Sequence, residues 1–423
     1  MSEPSPDGLT FVTFRAADQP ERLDGWYEAQ SRGFHQGRTS EEARRHFGEH
    51  LHADDVLLRG VWQEAPALGS GAIPVATYAS YDKTLNTGRG VQAVRMISDV
   101  TVSPTHRRRG LLRRLITDDL RDAVEQGLPL AVLTVSEGSI YGRFGFGPAV
   151  FHHGLTVETG PRFALRGPAD DGSVELLEPA EAWPTVATVF GQFHATTRGS
   201  LERPRFYETI LTGDYDFESG PDTKLRTAVH LDAAGTPDGY VAYRPGPRKD
   251  NRRAIEVSDL VALTPAAYAR LWRFLADLDL SDTVEWGRAR VDDPLSWALV
   301  DPFAARVTRL KDALWVRVLD VPAALAARPW GRDGELVVEV VDPLGHAAGR
   351  FRVVTREGTA EVTASDAEAD VSLDAETLGA LYLGGVAADT LRQAGRLAGT
   401  EEALATWAAM VDTGPAPYCL TAF

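Results

Sequence analysis

The fold of this chain is decided by the stretch Val100-Thr-Val-Ser-Pro-Thr-His-Arg-Arg-Arg-Gly-Leu-Leu-Arg-Arg-Leu-Ile116, which predicts a strand, a turn and a helix in immediate succession. Apolar and β-branched residues from Val94 to Val102 favour a buried strand, which ends at Ser103-Pro104. Apolar residues at helical spacing from Leu112 to Leu120 then indicate a helix.

The turn between them, Arg107-Arg-Arg-Gly110, is strongly basic. It brings three guanidinium groups to a helix N-terminus, where unpaired N–H groups and the helix dipole attract anions. Gly110 allows a ligand to approach the backbone closely. A diphosphate suits this chemistry. Three arginines alone would indicate only a solvated basic turn, but the preceding strand and the following helix favour a ligand site.

Length and composition limit the class of protein. A chain of 423 residues predicts about two to four domains. Its net charge of −16 argues against a nucleic-acid partner and suits cationic ligands. The single cysteine, Cys419, excludes an intrachain disulfide, and we expect no metal, although His46 and His50 share a predicted helix face. The polar N-terminus and the lack of any run of ~18 apolar residues predict a cytoplasmic protein without membrane contact.

A segment in the middle of the chain is similar in sequence to the opening stretch. Val257-Ser-Asp-Leu-Val-Ala-Leu-Thr-Pro265 is similar to Ile97-Ser-Asp-Val-Thr-Val-Ser-Pro104, and a predicted helix follows both segments. The turn differs, since Ala266-Ala-Tyr-Ala-Arg270 has no glycine and one arginine. One hypothesis is a second copy of the fold that has lost its diphosphate site. Coincidence over eight residues is the alternative.

The C-terminal third has a different character. From about residue 305, alternating strand patterns mix with short helices, which predicts an α+β unit. The chain closes with Pro415-Ala-Pro-Tyr-Cys-Leu-Thr-Ala-Phe423. Since termini are usually polar and frayed, this apolar ending predicts a tail docked on the protein.

Three features together resemble the Eis (enhanced intracellular survival) family of GCN5-related N-acetyltransferases (GNAT). They are Val102-Ser-Pro-Thr-His-Arg-Arg-Arg-Gly-Leu-Leu-Arg113, Ser136-Glu-Gly-Ser-Ile-Tyr-Gly-Arg-Phe-Gly-Phe-Gly-Pro148, and the terminal Phe423. Leu381-Tyr-Leu-Gly-Gly385 is similar to the family's third domain. The resemblance implies a mixed α/β and α+β architecture with a catalytic GNAT domain (1–160), a degenerate GNAT-like domain without a coenzyme site (161–304) and a sterol-carrier-protein-like domain (305–423). Family members look like homohexamers.

The resemblance also implies a reaction and its residues. The reaction is acetyl transfer from acetyl-CoA to a primary amine of an aminoglycoside-, polyamine- or lysine-like substrate. Tyr141 corresponds to the general acid, and the terminal carboxylate of Phe423 corresponds to the general base. The coenzyme would contact Val100, Thr101, Val102, Arg107, Arg108, Arg109, Gly110, Leu111, Leu112, Arg113, Ser136 and Glu137. Trp26, Phe34, His35 and Gln36 are candidate residues of the amine pocket.

This assignment is chemically reasonable. An alkylammonium with a pKa near 10.4 must lose a proton before it attacks a thioester, and the departing thiolate gains one. A free terminal carboxylate (pKa about 3.3–3.7) is a weak base, so burial or a relay water must assist it. From the residues alone, Tyr141 would be interpreted as a packing aromatic and Phe423 as a hydrophobic plug.

Two positions depart from the family pattern. Relatives have an acidic residue two positions after the aromatic that matches Phe34, and another just before the terminal Phe; here these are Gln36 and Ala422. Fewer acids would weaken attraction for polycations. Two other functions remain open: a lipid or sterol carrier acting through the third domain, and a scaffold with a vestigial acetyltransferase fold. The intact turn at 107–110 argues against the scaffold.

Overall fold

Two β-sheets form the framework of the computed structural model, which describes residues 2–4, 8–69, 71–217, 219–249 and 252–423. The larger sheet contains the strands β1 (Ser2–Pro4), β2 (Leu9–Arg15), β3 (Leu57–Gln63), β4 (Ala76–Asn86), β5 (Val91–Val102), β6 (Leu130–Leu133), β7 (Gly147–Glu158), β8 (Ser173–Leu177), β9 (Arg226–Leu231), β10 (Pro237–Lys249), β11 (Arg252–Ala262), β12 (Ser281–Ala289) and β13 (Ala305–Val318). The helices of this part are α1 (Pro20–Gly33), α2 (Glu41–Ala53), α3 (Leu111–Glu125), α4 (Pro179–Thr196), α5 (Phe206–Thr212), α6 (Pro265–Ala276) and α7 (Leu295–Ala298). Short 3₁₀ turns lie at Pro104–His106, Gly142–Phe144 and Pro302–Ala304.

The smaller sheet lies in the last hundred residues. Its strands are β14 (Gly334–Val341), β15 (Gly349–Arg356), β16 (Thr359–Ala364), β17 (Val371–Asp374) and β18 (Leu397–Gly399), in the order β16-β15-β14-β17-β18. Its helices are α8 (Val321–Ala326), α9 (Ala375–Tyr382), α10 (Ala388–Gln393) and α11 (Glu401–Val411).

The two halves of the larger sheet repeat one plan. Along the sheet the order is β1-β2-β3-β4-β5-β6-β13-β7-β12-β11-β10-β9-β8. From β2 and from β8, three antiparallel pairings lead inward to a parallel pair, β5 with β6 and β11 with β12. A helix, α3 or α6, connects each parallel pair, because parallel strands need a crossover. The strand orders agree, as the duplication hypothesis requires.

The last strand of each half is exchanged with the other. β7 leaves the first half and pairs with β12, whereas β13, at the end of the second half, pairs with β6. β7 and β13 also pair with each other. Residues 305–318, with which the predicted third domain begins, therefore lie at the centre of the larger sheet.

The glycines of the Ser136–Pro148 motif fit the third unit against the first. A methyl group at Gly147 would stand 2.0 Å from the carbonyl oxygen of Glu376, and one at Gly142 would stand 2.8 Å from the Glu376 carboxylate. Gly145 has a φ of 81°, a left-handed conformation that favours glycine. The glycines of this motif thus leave the space in which α9 packs against it.

A buried carboxylate fixes α3 to the sheet. Asp119 is fully buried and accepts hydrogen bonds from Arg59 (2.5 Å), Arg95 (2.7 Å), Ser80 (2.6 Å) and Tyr78 (2.9 Å). Breaking a buried ion pair by removing one partner typically costs about 3–5 kcal/mol.

We expect Asp119→Asn to lower the free energy of unfolding by about 3–5 kcal/mol, because two guanidinium groups lose their buried counter-charge. Thermal and urea unfolding measure this change. The control is Asp118→Asn on the same helix, which removes a half-exposed ion pair with Arg121 and should cost about 0–1 kcal/mol. Equal effects of the two substitutions would contradict the prediction.

Candidate active site

Strands β5 and β6 diverge immediately beyond their paired segment. The pairing covers Arg95–Ile97 and Ala131–Leu133 only. Beyond it, two residues of β5, Asp99 and Val100, face the single residue Tyr78 of β4, which defines a β-bulge. Asp99 adopts a φ of 53° there. The bulge redirects the end of β5 and leaves a gap between the two strands.

The N-terminus of α3 faces this gap with open donors. Gly110 is the N-cap residue at a φ of 76°, and no side chain caps the helix. The first intrahelical bond runs from Arg114 N to Gly110 O, so the N–H groups of residues 111–113 have no partner within the helix. Arg108 also has a positive φ, 64°. The loop therefore presents backbone donors and cations together, which suits an anion.

A cleft of about 660 Å³ runs from this helix end along β5. Its lining includes all but one of the predicted coenzyme residues: Val100, Thr101, Val102, Arg107, Arg108, Gly110, Leu111, Leu112, Arg113, Ser136 and Glu137. Arg109 is exposed and does not line the cleft. His106, Ile140 and Arg143, which sequence reasoning missed, also line it.

Tyr141 lies in the wall of the same cleft. Its side chain is 7% exposed and packs edge-on against Phe146, with ring centroids 6.4 Å apart. Burial, and secondarily the charge of Glu137, raise the pKa of Tyr141 to about 12. The phenol therefore keeps its proton at neutral pH and can act as a hydrogen-bond donor.

A second, smaller cavity of about 190 Å³ borders the β5 bulge at Asp99. Its lining contains the ring of Phe423 together with Gln36, Ser98 and Asp99. The chain segments 34–36 and 98–102 contribute to both spaces. The two cavities are therefore neighbours at the bulge.

The terminal residue is held at the open end of β6. The hydroxyl of Thr134, the residue after this strand, donates a 2.5 Å hydrogen bond to a terminal carboxylate oxygen of Phe423. Phe423 is partly buried, as predicted for a docked tail. Thr134 and Phe423 are 289 positions apart in the chain, so sequence reasoning had no signal that would single out Thr134.

The preceding tail is anchored by the second GNAT-like half. Tyr418 N donates to Arg198 O (2.8 Å), Thr421 Oγ1 donates to Leu201 O (2.6 Å), and Ala422 N donates to the hydroxyl of Tyr207 (2.8 Å). Burial raises the pKa of the Cys419 thiol to about 11, so this thiol is protonated and unsuited to nucleophilic attack.

The predicted amine-pocket residues separate into two groups. Phe34 and His35 line the large cleft, and Gln36 lines the small cavity. Trp26 lines neither cavity, which corrects its assignment to the amine pocket. Its side chain is 0% exposed, and its indole N–H donates to Arg59 O at 2.9 Å within the core. Trp26 belongs to the buried face of α1.

The N-terminus of α6 in the second half lacks the uncapped donors and the basic turn that precede α3 in the first half. α6 begins after Thr264, whose side chain caps it by accepting a hydrogen bond from Ala267 N. A filled cap occupies a donor that remains open in α3, in keeping with the lost arginines and glycine.

Neither metal ligation nor membrane insertion is indicated within the residues that the structure describes. There, no three His, Cys, Asp or Glu side chains come together as a metal site would require. No helix in the same ranges has the length and apolarity needed to span a bilayer.

Comparisons with known proteins agree with this geometry. Residues 14–149 and 199–318 each match an acetyltransferase (GNAT) domain, and residues 321–420 match a sterol carrier protein domain. The predicted fold class, two GNAT folds followed by a sterol-carrier-protein-like unit, is thus confirmed. GNAT acetyltransferases use acetyl-CoA.

Proteins that are similar over most of this chain are named as N-acetyltransferases or as Eis. An uncharacterized N-acetyltransferase of Streptomyces griseus is 35% identical over 420 residues, 96% of this chain and 98% of the relative. N-acetyltransferase Eis of Mycobacterium tuberculosis is 37% identical over 338 residues, 78% of this chain and 80% of the relative. The crystal structure of Eis1 from Mycobacterium abscessus superposes with a TM-score of 0.82 at 30% identity, over 98% of this chain and 100% of that chain. The chain therefore belongs to the Eis family of GCN5-related N-acetyltransferases and is an N-acetyltransferase.

Proposed function

We propose that the chain transfers the acetyl group of acetyl-CoA directly to a primary amine, with Tyr141 as proton donor and the Phe423 carboxylate as proton acceptor. One observation carries this proposal: the terminal carboxylate accepts a hydrogen bond from Thr134 at the end of β6, and Phe423 lines the small cavity. Thr134, which holds the terminus, lies 289 positions earlier in the chain. Chain termini are usually frayed, so a terminus held in this way is unusual.

The donor would occupy the large cleft. Its diphosphate fits the open N–H groups of residues 111–113 and the side chains of Arg107, Arg108 and Arg113. Its pantetheine arm fits along Val100–Val102, where β5 still pairs with β4 on one side but no longer pairs with β6 on the other. Ser136 and Glu137 would flank the thioester.

The acceptor amine would enter from the small cavity. The carboxylate of Phe423 accepts the proton that the ammonium must lose, and the amine nitrogen then forms a bond to the thioester carbon. The carbon–sulfur bond breaks as the tetrahedral intermediate collapses. Tyr141 donates a hydrogen bond to the departing sulfur and passes its proton along that bond, while the second proton that the amine nitrogen loses returns to the phenol, so that the thiol and Tyr141 are both neutral at the end. Alignment of amine and thioester across the bulge supplies the larger share of the acceleration.

Assembly and location complete the proposal. We propose a homohexamer, as in the resembling family. Several large apolar side chains between residues 297 and 310 are exposed, as a subunit interface requires: Trp297, Val300, Phe303, Val307 and Leu310. A cytoplasmic location suits a protein that consumes acetyl-CoA and has a single cysteine.

The lipid-carrier alternative gains no support from the third unit. Trp407 and Tyr382 are fully buried there, and the Tyr382 hydroxyl donates to Ala324 O at 3.0 Å. These side chains fill the space between helices and sheet. In this proposal the role of the third unit is to carry the tail that ends in Phe423.

The activity is tested by release of coenzyme A thiol from acetyl-CoA in the presence of aminoglycosides, polyamines, lysine peptides and simple monoamines. We expect amine-dependent release and an acetylated product by mass spectrometry. Gly110→Val is the control, since a β-branched residue is strained at a φ of 76° and disturbs the anion site. Thiol release without an acetylated amine would contradict the proposal.

A further inference from the structure

The small cavity contains a carboxylate that has no cationic partner. Asp99 lies at the β5 bulge and lines this cavity. Its carboxylate accepts a side-chain hydrogen bond from the neutral amide of Gln30 at 3.1 Å. No lysine or arginine of the described ranges forms an ion pair with it. Burial raises the pKa of Asp99 to about 6, so the group is charged at neutral pH but poorly compensated.

The other acidic side chain of this cavity is already neutralised. Asp54 pairs with Lys83 at 2.6 Å and accepts a hydrogen bond from Arg205 N at 2.7 Å. Gln36, which also lines the cavity, is neutral. Besides the chain terminus, Asp99 therefore supplies the cavity's one uncompensated negative charge among the described residues.

The rest of the lining is largely aromatic. Tyr27, Phe47, Phe206, Phe217 and Phe423 face the cavity, and the Tyr27 and Phe47 rings stack at 3.9 Å. Sites for drug-sized ligands usually enclose about 300–1,000 Å³, whereas this cavity encloses about 190 Å³. An aromatic or alkyl body of modest size fits such a space, and a multi-ring polycation does not.

The second half of the chain contains an internal version of the same arrangement. Asp259 lies at the matching bulge of β11, and Arg203 from the α4–α5 connection pairs with it at 2.5 Å. The Arg203 guanidinium also lies 3.7 Å and 4.5 Å from the ring centroids of Phe190 and Tyr207. The copy thus places its own cation between a carboxylate and aromatic faces. In the first half, no arginine among the described residues pairs with Asp99.

We propose that Asp99 binds the ammonium group of the acceptor and that the acceptor is a small monoamine with a single aromatic or alkyl body. This inference rests on the proposed acetyl transfer to amines. Asp99 acts as a specificity-determining residue: it holds the cation beside the bulge, and the aromatic rings enclose the body of the substrate. The Phe423 carboxylate remains the group that takes the proton.

The test uses 2-phenylethylamine, spermidine and kanamycin with the full-length protein. We expect kcat/KM for 2-phenylethylamine to exceed that for either polycation by at least about tenfold. Asp99→Asn should raise its KM by about 10- to 100-fold, because a hydrogen bond to a charged group is lost, with little change in kcat. Asparagine tolerates the positive φ, so the bulge is retained. Gln36→Glu should shift the preference toward spermidine by adding a second charge.

Two controls separate the alternatives. Asp24→Asn removes an exposed carboxylate of α1 outside both cavities and should leave KM unchanged. Calorimetric binding of 2-phenylethylamine to the coenzyme A complex tests the site without turnover. Binding that depends on Asp99, without an acetylated product, supports the inference and overturns the proposed reaction. Acetylation of amines with a KM insensitive to Asp99→Asn, or with kanamycin preferred, overturns the inference and leaves the reaction standing.

Discussion

Adding one alanine after Phe423 is expected to lower kcat for amine acetylation by at least about 100-fold, the lower range for loss of a general base. The extension moves the terminal carboxylate by about 3.8 Å and puts a neutral amide in its place. An amide carbonyl can still accept the Thr134 hydrogen bond, so the fold survives while the proton acceptor is lost. Steady-state kinetics and acetyl-CoA binding measure the two effects separately.

The matched variant for this experiment is Phe423→Leu. It retains the carboxylate and reduces the ring that packs on the core. We expect a smaller loss of kcat than in the extended protein and unchanged acetyl-CoA affinity. If the extended protein turns over like the unmodified one, the carboxylate is not the proton acceptor.

Replacing Tyr141 by phenylalanine is expected to lower kcat by about 100-fold, a typical contribution of a positioned proton donor. The ring is retained, so its packing against Phe146 survives. A phenol with a pKa of about 12 is a weaker acid than a thiol of pKa about 8.5, so Tyr141 passes its proton to the departing sulfur only together with the return of a proton from the amine nitrogen.

The raised pKa of Tyr141 determines how the effect of Tyr141→Phe should depend on pH. The phenol stays protonated up to about pH 12, so ionisation of Tyr141 should not reduce the rate between pH 6 and pH 10. The ratio of the rates of the unmodified and Tyr141→Phe proteins should therefore be constant over that range. Rapid-quench kinetics measure the chemical step directly, and Phe146→Leu, which alters packing without removing a donor, is the control. A loss confined to high pH would contradict the assignment.

Local patterns carried most of the correct predictions. The strand, basic turn and helix around Arg107–Gly110 could be predicted because apolar spacing and a positive-φ glycine act over a few residues. The similar segment at 257–265 indicated the second half because both copies need the same bulged strand before the crossover helix. The tail could be predicted as docked because its residues are apolar.

Long-range contacts limited the rest. The pairing of β13 with β6 and β7 joins residues that lie 148 positions apart (Ala305 and Val157) to 188 positions apart (Val318 and Leu130) in the chain. Composition near residue 305 does not encode a partner. Trp26 was misassigned because an aromatic on a helix face fits core and cavity equally well until the neighbours are known. In the sequence, Asp99 was noticeable only as part of the segment that is similar to 257–265. Its lack of a counter-charge is a property of the folded cavity and could not be predicted.

The exchange of β7 and β13 explains why an eroded copy persists in the chain. If the second half were deleted, β6 would lose its antiparallel neighbour and expose an unpaired edge in the middle of a hydrophobic sheet. A duplication that ends in mutual strand donation is hard to reverse, because each descendant has become part of the other's hydrogen-bond ladder. The second copy is then retained because the first depends on its strand.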